Sequence, residues 1–157
     1  MVTDINRNPA LAVNFLLEIP LAKELNYFVQ TVDVPGLTMA GVESPYRNVQ
    51  ANVPSNRIDY DQLNLTFIVD ENWANWNYVF EWMKRIRTGN SAISDTMTDI
   101  TLNLVNSNKN LNKIMVFRGA YPTLLGSLPL DSTVVDSTPL VCSLSFRYQD
   151  FELRNGT

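Results

Sequence analysis

Between Leu63 and Gly89 the spacing of apolar residues changes from two to three or four, and the chain's organisation can be read outward from that change. Leu63, Leu65, Phe67 and Val69 alternate with Asn64, Thr66 and Asp70, only Ile68 breaking the pattern, which predicts a half-buried strand. From Trp73 onward, Trp73, Trp76, Val79, Phe80, Met83 and Ile86 gather within about 140° of a helical wheel, the stripe of an amphipathic helix. Trp82 falls at the edge of that stripe, where it can reach a neighbouring molecule. Asp70 or Asn72 is placed to cap the helix, and Gly89 to end it.

Other segments read as strands. Val13 to Ile19 and Tyr27 to Val34 are joined by a turn around Pro20 to Asn26, and Leu37 to Glu43 extends the sheet. Ser44 to Asp61 is a long polar stretch, either a functional arm or an extended hairpin, in which Arg47 and Arg57 are exposed candidates for partner contacts. After a loop from Asn90 to Thr98, Ile100, Leu102 and Leu104 alternate in a further strand. Lys113 to Tyr121 is almost continuously apolar, as in a strand buried on both faces. Pro122 to Pro139 reads as a long irregular connection. Leu140, Cys142, Leu144, Phe146 and Tyr148 then oppose Ser143, Ser145, Arg147 and Gln149 in the clearest alternation of the chain. Strands, one helix and strands again predict a mainly β (α+β) chain, a β-sandwich or split barrel with one flanking amphipathic helix.

Size and charge narrow the choices. The 157 residues are of single-domain length and sufficient to bury a core. A net charge of −4 argues against holding nucleic acid through its phosphates, but not against a surface that DNA merely passes. One cysteine, Cys142, excludes an intrachain disulfide and fits a reducing compartment during folding. Its apolar neighbours make it a core residue rather than a reactive thiol. Leu11 to Ala22 is interrupted by Asn14, Glu18 and Pro20, so neither a signal peptide nor a membrane span is expected.

Candidate chemistry is thin. The sequence contains no histidine, which removes Ser-His-Asp and Cys-His catalysis and every histidine-based metal site. Asp59 with Asp61, or Asp131 with Asp136, are conceivable acid–base pairs, yet neither lies beside an apolar run able to raise one pKa. Phosphate-loop, dinucleotide and EF-hand patterns do not occur. Trp73, Trp76, Trp82 and Tyr78 are conceivable as a stacking platform in a carbohydrate- or small-molecule-binding barrel, but at helical spacing they read first as core. No enzyme, cofactor or metal is predicted.

Several pieces in order resemble the tail tube protein family of contractile-tailed bacteriophages, related to the tube proteins of type VI secretion. They are Asn14 to Ile19, the Val32 to Leu37 turn, the polar arm Tyr46 to Asp61, Leu65 to Glu71 entering the aromatic helix, Gly119 to Pro122, and Ser143 to Tyr148. The resemblance implies a structural virion protein whose copies form a ring, a hexamer in that family, stacked into a tube through which DNA passes without specific binding. It implies partners among sheath, baseplate and terminator proteins, no membrane, assembly in the host cytoplasm and residence in the virion tail. Baseplate initiators and tail terminators share the fold. Under this reading Asn64, Thr66, Ser143, Ser145, Arg147 and Gln149 are the channel-lining candidates. Tyr46, Arg47, Asn48 and Arg57 in the arm, with Trp82, are the subunit-contact candidates.

Overall fold

The computed structural model describes residues 9–46, 49–89 and 92–156. In chain order the elements are β1 (Phe15–Glu18), α1 (Lys23–Asn26), β2 (Val29–Asp33), β3 (Leu37–Tyr46), β4 (Val49–Tyr60), β5 (Leu63–Ile68), α2 (Ala74–Thr88), α3 (Ile93–Thr96), β6 (Thr98–Val105), β7 (Leu111–Leu125), β8 (Val141–Arg147) and β9 (Asp150–Asn155). The protein is mainly β, with every strand pairing antiparallel.

The long strand β7 carries the architecture. Its first part pairs with β6 on one side and β9 on the other, and its last part, Tyr121 to Leu125, pairs with β8. One leaf is therefore β1-β6-β7-β9 and the other β7-β8-β5-β2. The turn between leaves falls at Gly119, whose φ of 62° is open to glycine and strained for any other residue. Its N–H donates to Asp99 Oδ1 at 3.1 Å, and a Cβ there would stand 3.0 Å from the Gln149 side chain. Leu17, Leu102, Ile100 and Phe117 from one leaf and Leu65, Phe67, Leu144 and Phe146 from the other fill the core.

Helix α2 covers the core, but on a face rotated from the predicted one. Asn75, Val79 and Trp82 are its buried residues, while Phe80 is 38% exposed. Trp82 is thus not at an edge facing a neighbour. It is fully buried, packs on Phe146 at 5.8 Å, and donates from Nε1 to the Thr96 carbonyl at 2.9 Å, a partner supplied by α3 in what the sequence suggests is plain loop. The rotation is set by Asn75, which a wheel of apolar residues ignores. Its Oδ1 accepts from the backbone N–H groups of Asp70 and Trp76, and its Nδ2 donates to the Ile68 carbonyl at 2.8 Å. Asn75 does the work expected of Asp70 or Asn72, neither of which caps: the N-cap is Trp73, in the left-handed region at φ 59° with no side-chain cap. Gly89 ends the helix at φ 66°, as expected.

The stretch around Ser44 to Asp61 belongs to a two-stranded hairpin of its own, β3 with β4. Tyr60 anchors its base by edge contacts with Tyr148 and Phe151, and Tyr148 donates from its hydroxyl to the Asp61 carbonyl at 2.8 Å. The irregular connection starts at Gly126 rather than Pro122, because β7 continues to Leu125. The outer face of β7 is only half buried at Ile114 and Val116, so burial on both faces does not hold in the isolated chain.

Two outcomes follow. Gly119→Ala is expected to lose about 1–2 kcal/mol in urea unfolding, from the positive φ and crowding against Gln149. Burial, with the nearby Asp61 carboxylate and Tyr60, pushes the Tyr148 phenol from 10.0 up to about 12. Because the fold favours the neutral phenol, its contribution is intact at neutral pH and is lost as pH climbs from 10 through about 12. Tyr148→Phe should cost about 1 kcal/mol at pH 7 and show a shallower alkaline fall in melting temperature.

Candidate functional site

Acid–base chemistry finds no support in the carboxylates. Asp59 pairs with Arg57 at 2.9 Å on the exposed hairpin. Asp131 is held below the usual carboxylate range by the hydroxyl and the amide of Thr133, the direction opposite to that needed by a general acid. Burial pushes the Cys142 thiol up, which keeps it protonated and inert. Among the described residues no group of three or more cysteines or acids is placed to hold a metal.

The feature that stands out is the outer face of the β7-β8-β5-β2 leaf. Register places Asp33, Asn64 and Ser145 in one row across β2, β5 and β8, and Thr31, Thr66 and Ser143 in the next. Arg147 lies further along β8, opposite Tyr121. The hydroxyls pair across strands: Thr31 Oγ1 and Thr66 Oγ1 are 2.6 Å apart, and Ser145 Oγ donates to Asn64 Oδ1 at 2.7 Å. Such cross-strand pairs add to the stability of the sheet. The result is a wet face of hydroxyls and amides with few charges.

Of the residues predicted to line it, Asn64, Thr66, Ser143 and Arg147 share this face, with Asn64, Ser143 and Arg147 exposed and Thr66 half-buried. Ser145 shares it too, but is only 6% exposed, lying between Asn64 on β5 and Leu124 on β7. Gln149 does not belong to the face: it lies past the end of β8 in the bend before β9, against Gly119. Thr31 and Asp33 complete the face and were not anticipated, since Val29 to Asp33 alternates poorly and β2 slips register between Val29 and Thr31.

The contact candidates divide differently. Arg57 is exposed on β4, and Tyr46 ends β3. Arg47 and Asn48 lie outside the described residues. The other leaf has a contrasting outer surface, where Arg118 pairs with Asp150 at 3.6 Å and Glu152 at 2.7 Å, and Arg154 joins Glu152. Despite the cost of desolvation, Arg154 and Arg118 hold Glu152 below its ordinary value.

Two edges of the hydroxyl-bearing leaf are left over. β2 pairs with β5 alone, and the last part of β7 pairs with β8 alone, among the described residues. Beside that β7 edge, Trp76 and Phe80 of α2 stack at 5.2 Å over an open groove.

Comparison with known proteins matches the model of a family described as phage tail tube protein to residues 5–154. The tail tube terminator protein of Enterobacteria phage T4 is 27% identical, over 93% of this chain and 89% of its own length. The tail tube protein of Serratia phage KSP90 is 27% identical, over 74% of this chain and 68% of its own. Among solved structures, the tube-terminating cap of the anti-feeding prophage has the same fold, with a TM-score of 0.74, 18% identity, and coverage of 98% of this chain and 97% of that one.

Burial separates two neighbours on the hydroxyl face. Ser143→Lys should change stability by no more than about 0.5 kcal/mol, whereas Ser145→Lys, which forces an ammonium under Asn64 and Leu124, should cost about 3 kcal/mol or more in urea unfolding.

Proposed function

The chain belongs to the phage tail tube protein family, and from that premise we propose that it is a ring-forming structural subunit of a tail tube, with its hydroxyl-bearing face lining the channel. The observation that carries this reading is the pair of unpaired edges flanking that face. β2, β5, β8 and the end of β7 alternate in direction, so β7 of one copy meets β2 of the next in antiparallel sense. An interface between two different edges is head-to-tail, and it closes into a ring when the rotation permits. Closure satisfies the exposed backbone groups of both edges and removes the association hazard of an open sheet. In the hexamer typical of the family, the joined leaves make one continuous barrel whose inner wall is Asn64, Thr66, Ser143 and Arg147 with Thr31 and Asp33.

The function of that wall is passage rather than binding. A surface of paired hydroxyls and amides, in a protein of net charge −4, offers DNA few phosphate partners, so the duplex slides. The role is mechanical and needs no catalytic group. The β3–β4 hairpin, projecting as its own sheet, supplies contacts between stacked rings, and the outward surfaces meet sheath, baseplate or terminator proteins. Assembly takes place in the host cytoplasm and the product resides in the virion tail.

One observation favours a second reading as a tail tube terminator: the likeness to the T4 terminator extends over 93% of the chain, against 74% for the tube protein of KSP90. Electron micrographs of purified protein separate the two, since a tube subunit yields stacks of variable length and a terminator single rings. Channel lining is tested with cysteine at position 143. In assembled particles Ser143→Cys should react with a small maleimide and resist one carrying a polymer too wide for the bore. Monodisperse monomers at all concentrations would overturn the ring, and equal reaction with both reagents would overturn the inward orientation.

A further inference from the structure

The groove beside the β7 edge is built from Trp76, Phe80 and Met83 of α2 and from Leu124 and Leu125 of β7, with Lys84 and Arg87 at its rim and a volume of about 530 Å³. Its wall is aromatic: the Trp76 and Phe80 rings lie 20° from parallel, and Lys84 Nζ stands 4.7 Å from the Phe80 centroid. Trp76 Nε1 is buried with no hydrogen-bond partner among the described residues. Phe80 at 38% and Leu124 at 53% are large apolar side chains left exposed there. The groove is shaped for an aromatic side chain.

One residue of that description protrudes from the opposite edge of the same leaf. Tyr27 is 88% exposed, two residues ahead of β2. The two features lie at the same end of the leaf. Val29 at the start of β2 pairs with Phe67, Phe67 with Cys142 at the start of β8, and the β8 residue Leu144 with Leu125 at the end of β7. When β2 of a second copy is laid antiparallel along the free β7 edge, the residues just before β2 run past Leu125 toward α2. Glu24 of α1, three residues ahead of Tyr27, is opposite in sign to Lys84 and Arg87 at the groove's rim.

We propose that Tyr27 of each copy inserts into the Trp76–Phe80–Leu124 groove of the next, locking the ring at the end of each β7–β2 seam. The inference rests on the ring reading above and names the contact that sets its strength. The ring packs between Phe80 and Leu125. A tyrosine with few rotatable bonds in a preformed, largely apolar slot is the kind of anchor that dominates an interface. Edge pairing alone gives register and direction but little preference for one copy over any other exposed strand; the plug supplies that preference.

The test uses the full chain. Tyr27→Ala should leave the monomer's circular dichroism and melting temperature unchanged, since the side chain is almost wholly exposed, and raise the concentration for half-maximal assembly about tenfold or more. Tyr27→Phe, which keeps the ring and loses only the hydroxyl, should raise it by a smaller factor. A Tyr27→Cys, Leu124→Cys double variant, oxidised after assembly, should give a ladder of covalent oligomers on a non-reducing gel, Cys142 being fully buried. If wild type and Tyr27→Ala form rings at the same concentration, or the double variant gives only monomer, the plug is wrong while the ring stands. If wild type forms no ring at all, the ring reading fails and the plug with it.

Discussion

A single strand that belongs to both leaves of the sheet is the constraint on which the rest depends. β7 enters paired with β6 and β9 and leaves paired with β8. It can do so because Gly119 takes a positive φ at no steric cost and hands its N–H to Asp99. The bend closes Phe117 against Tyr148 and Phe151, whose cluster with Tyr60 also seats the hairpin. It further leaves Tyr121 to Leu125 with one neighbouring strand instead of two. Core closure, hairpin anchoring and the free edge are three consequences of one change in strand direction.

The two outer faces of the protein differ in how their polar groups are satisfied. On the β7-β8-β5-β2 leaf, hydroxyls and an amide bond one another across strands. On the other leaf, Arg118, Asp150, Glu152 and Arg154 form an ion-pair network exposed to solvent, where such pairs contribute little to stability. The difference is chemical rather than energetic: on one surface hydroxyls and amides outnumber the charges, on the other charged side chains pair with one another.

Helix α2 shows how one buried polar group outweighs a pattern of apolar ones. The stripe from Trp73 to Ile86 suggests that Phe80 faces the core and Trp82 the rim. Asn75 has three backbone partners near the helix start, and leaving those groups unpaired inside the protein costs more than exposing part of a phenyl ring. The helix turns accordingly. Trp82 is buried, and Phe80 with Trp76 is left as an exposed aromatic wall. Strand register has the same local origin, since the slip between Val29 and Thr31 brings Thr31 and Asp33 onto the face that Asn64 and Ser143 announce.

Sequence by itself determined the mainly β class, the position of the one long helix, the strand at Leu63 to Ile68, and the division of β8 into Cys142, Leu144 and Phe146 inward and Ser143 and Arg147 outward. These are properties of period, and period is local. It also determined that histidine chemistry is absent. β9, α1, α3 and the rotation of α2 were decided only by tertiary structure. So were the burial of Ser145 and the departure of Gln149 from the hydroxyl face. The reason is physical: each depends on what stands opposite, Leu124 over Ser145 or the Thr96 carbonyl at Trp82, and those partners sit on other elements that only the folded chain brings into contact.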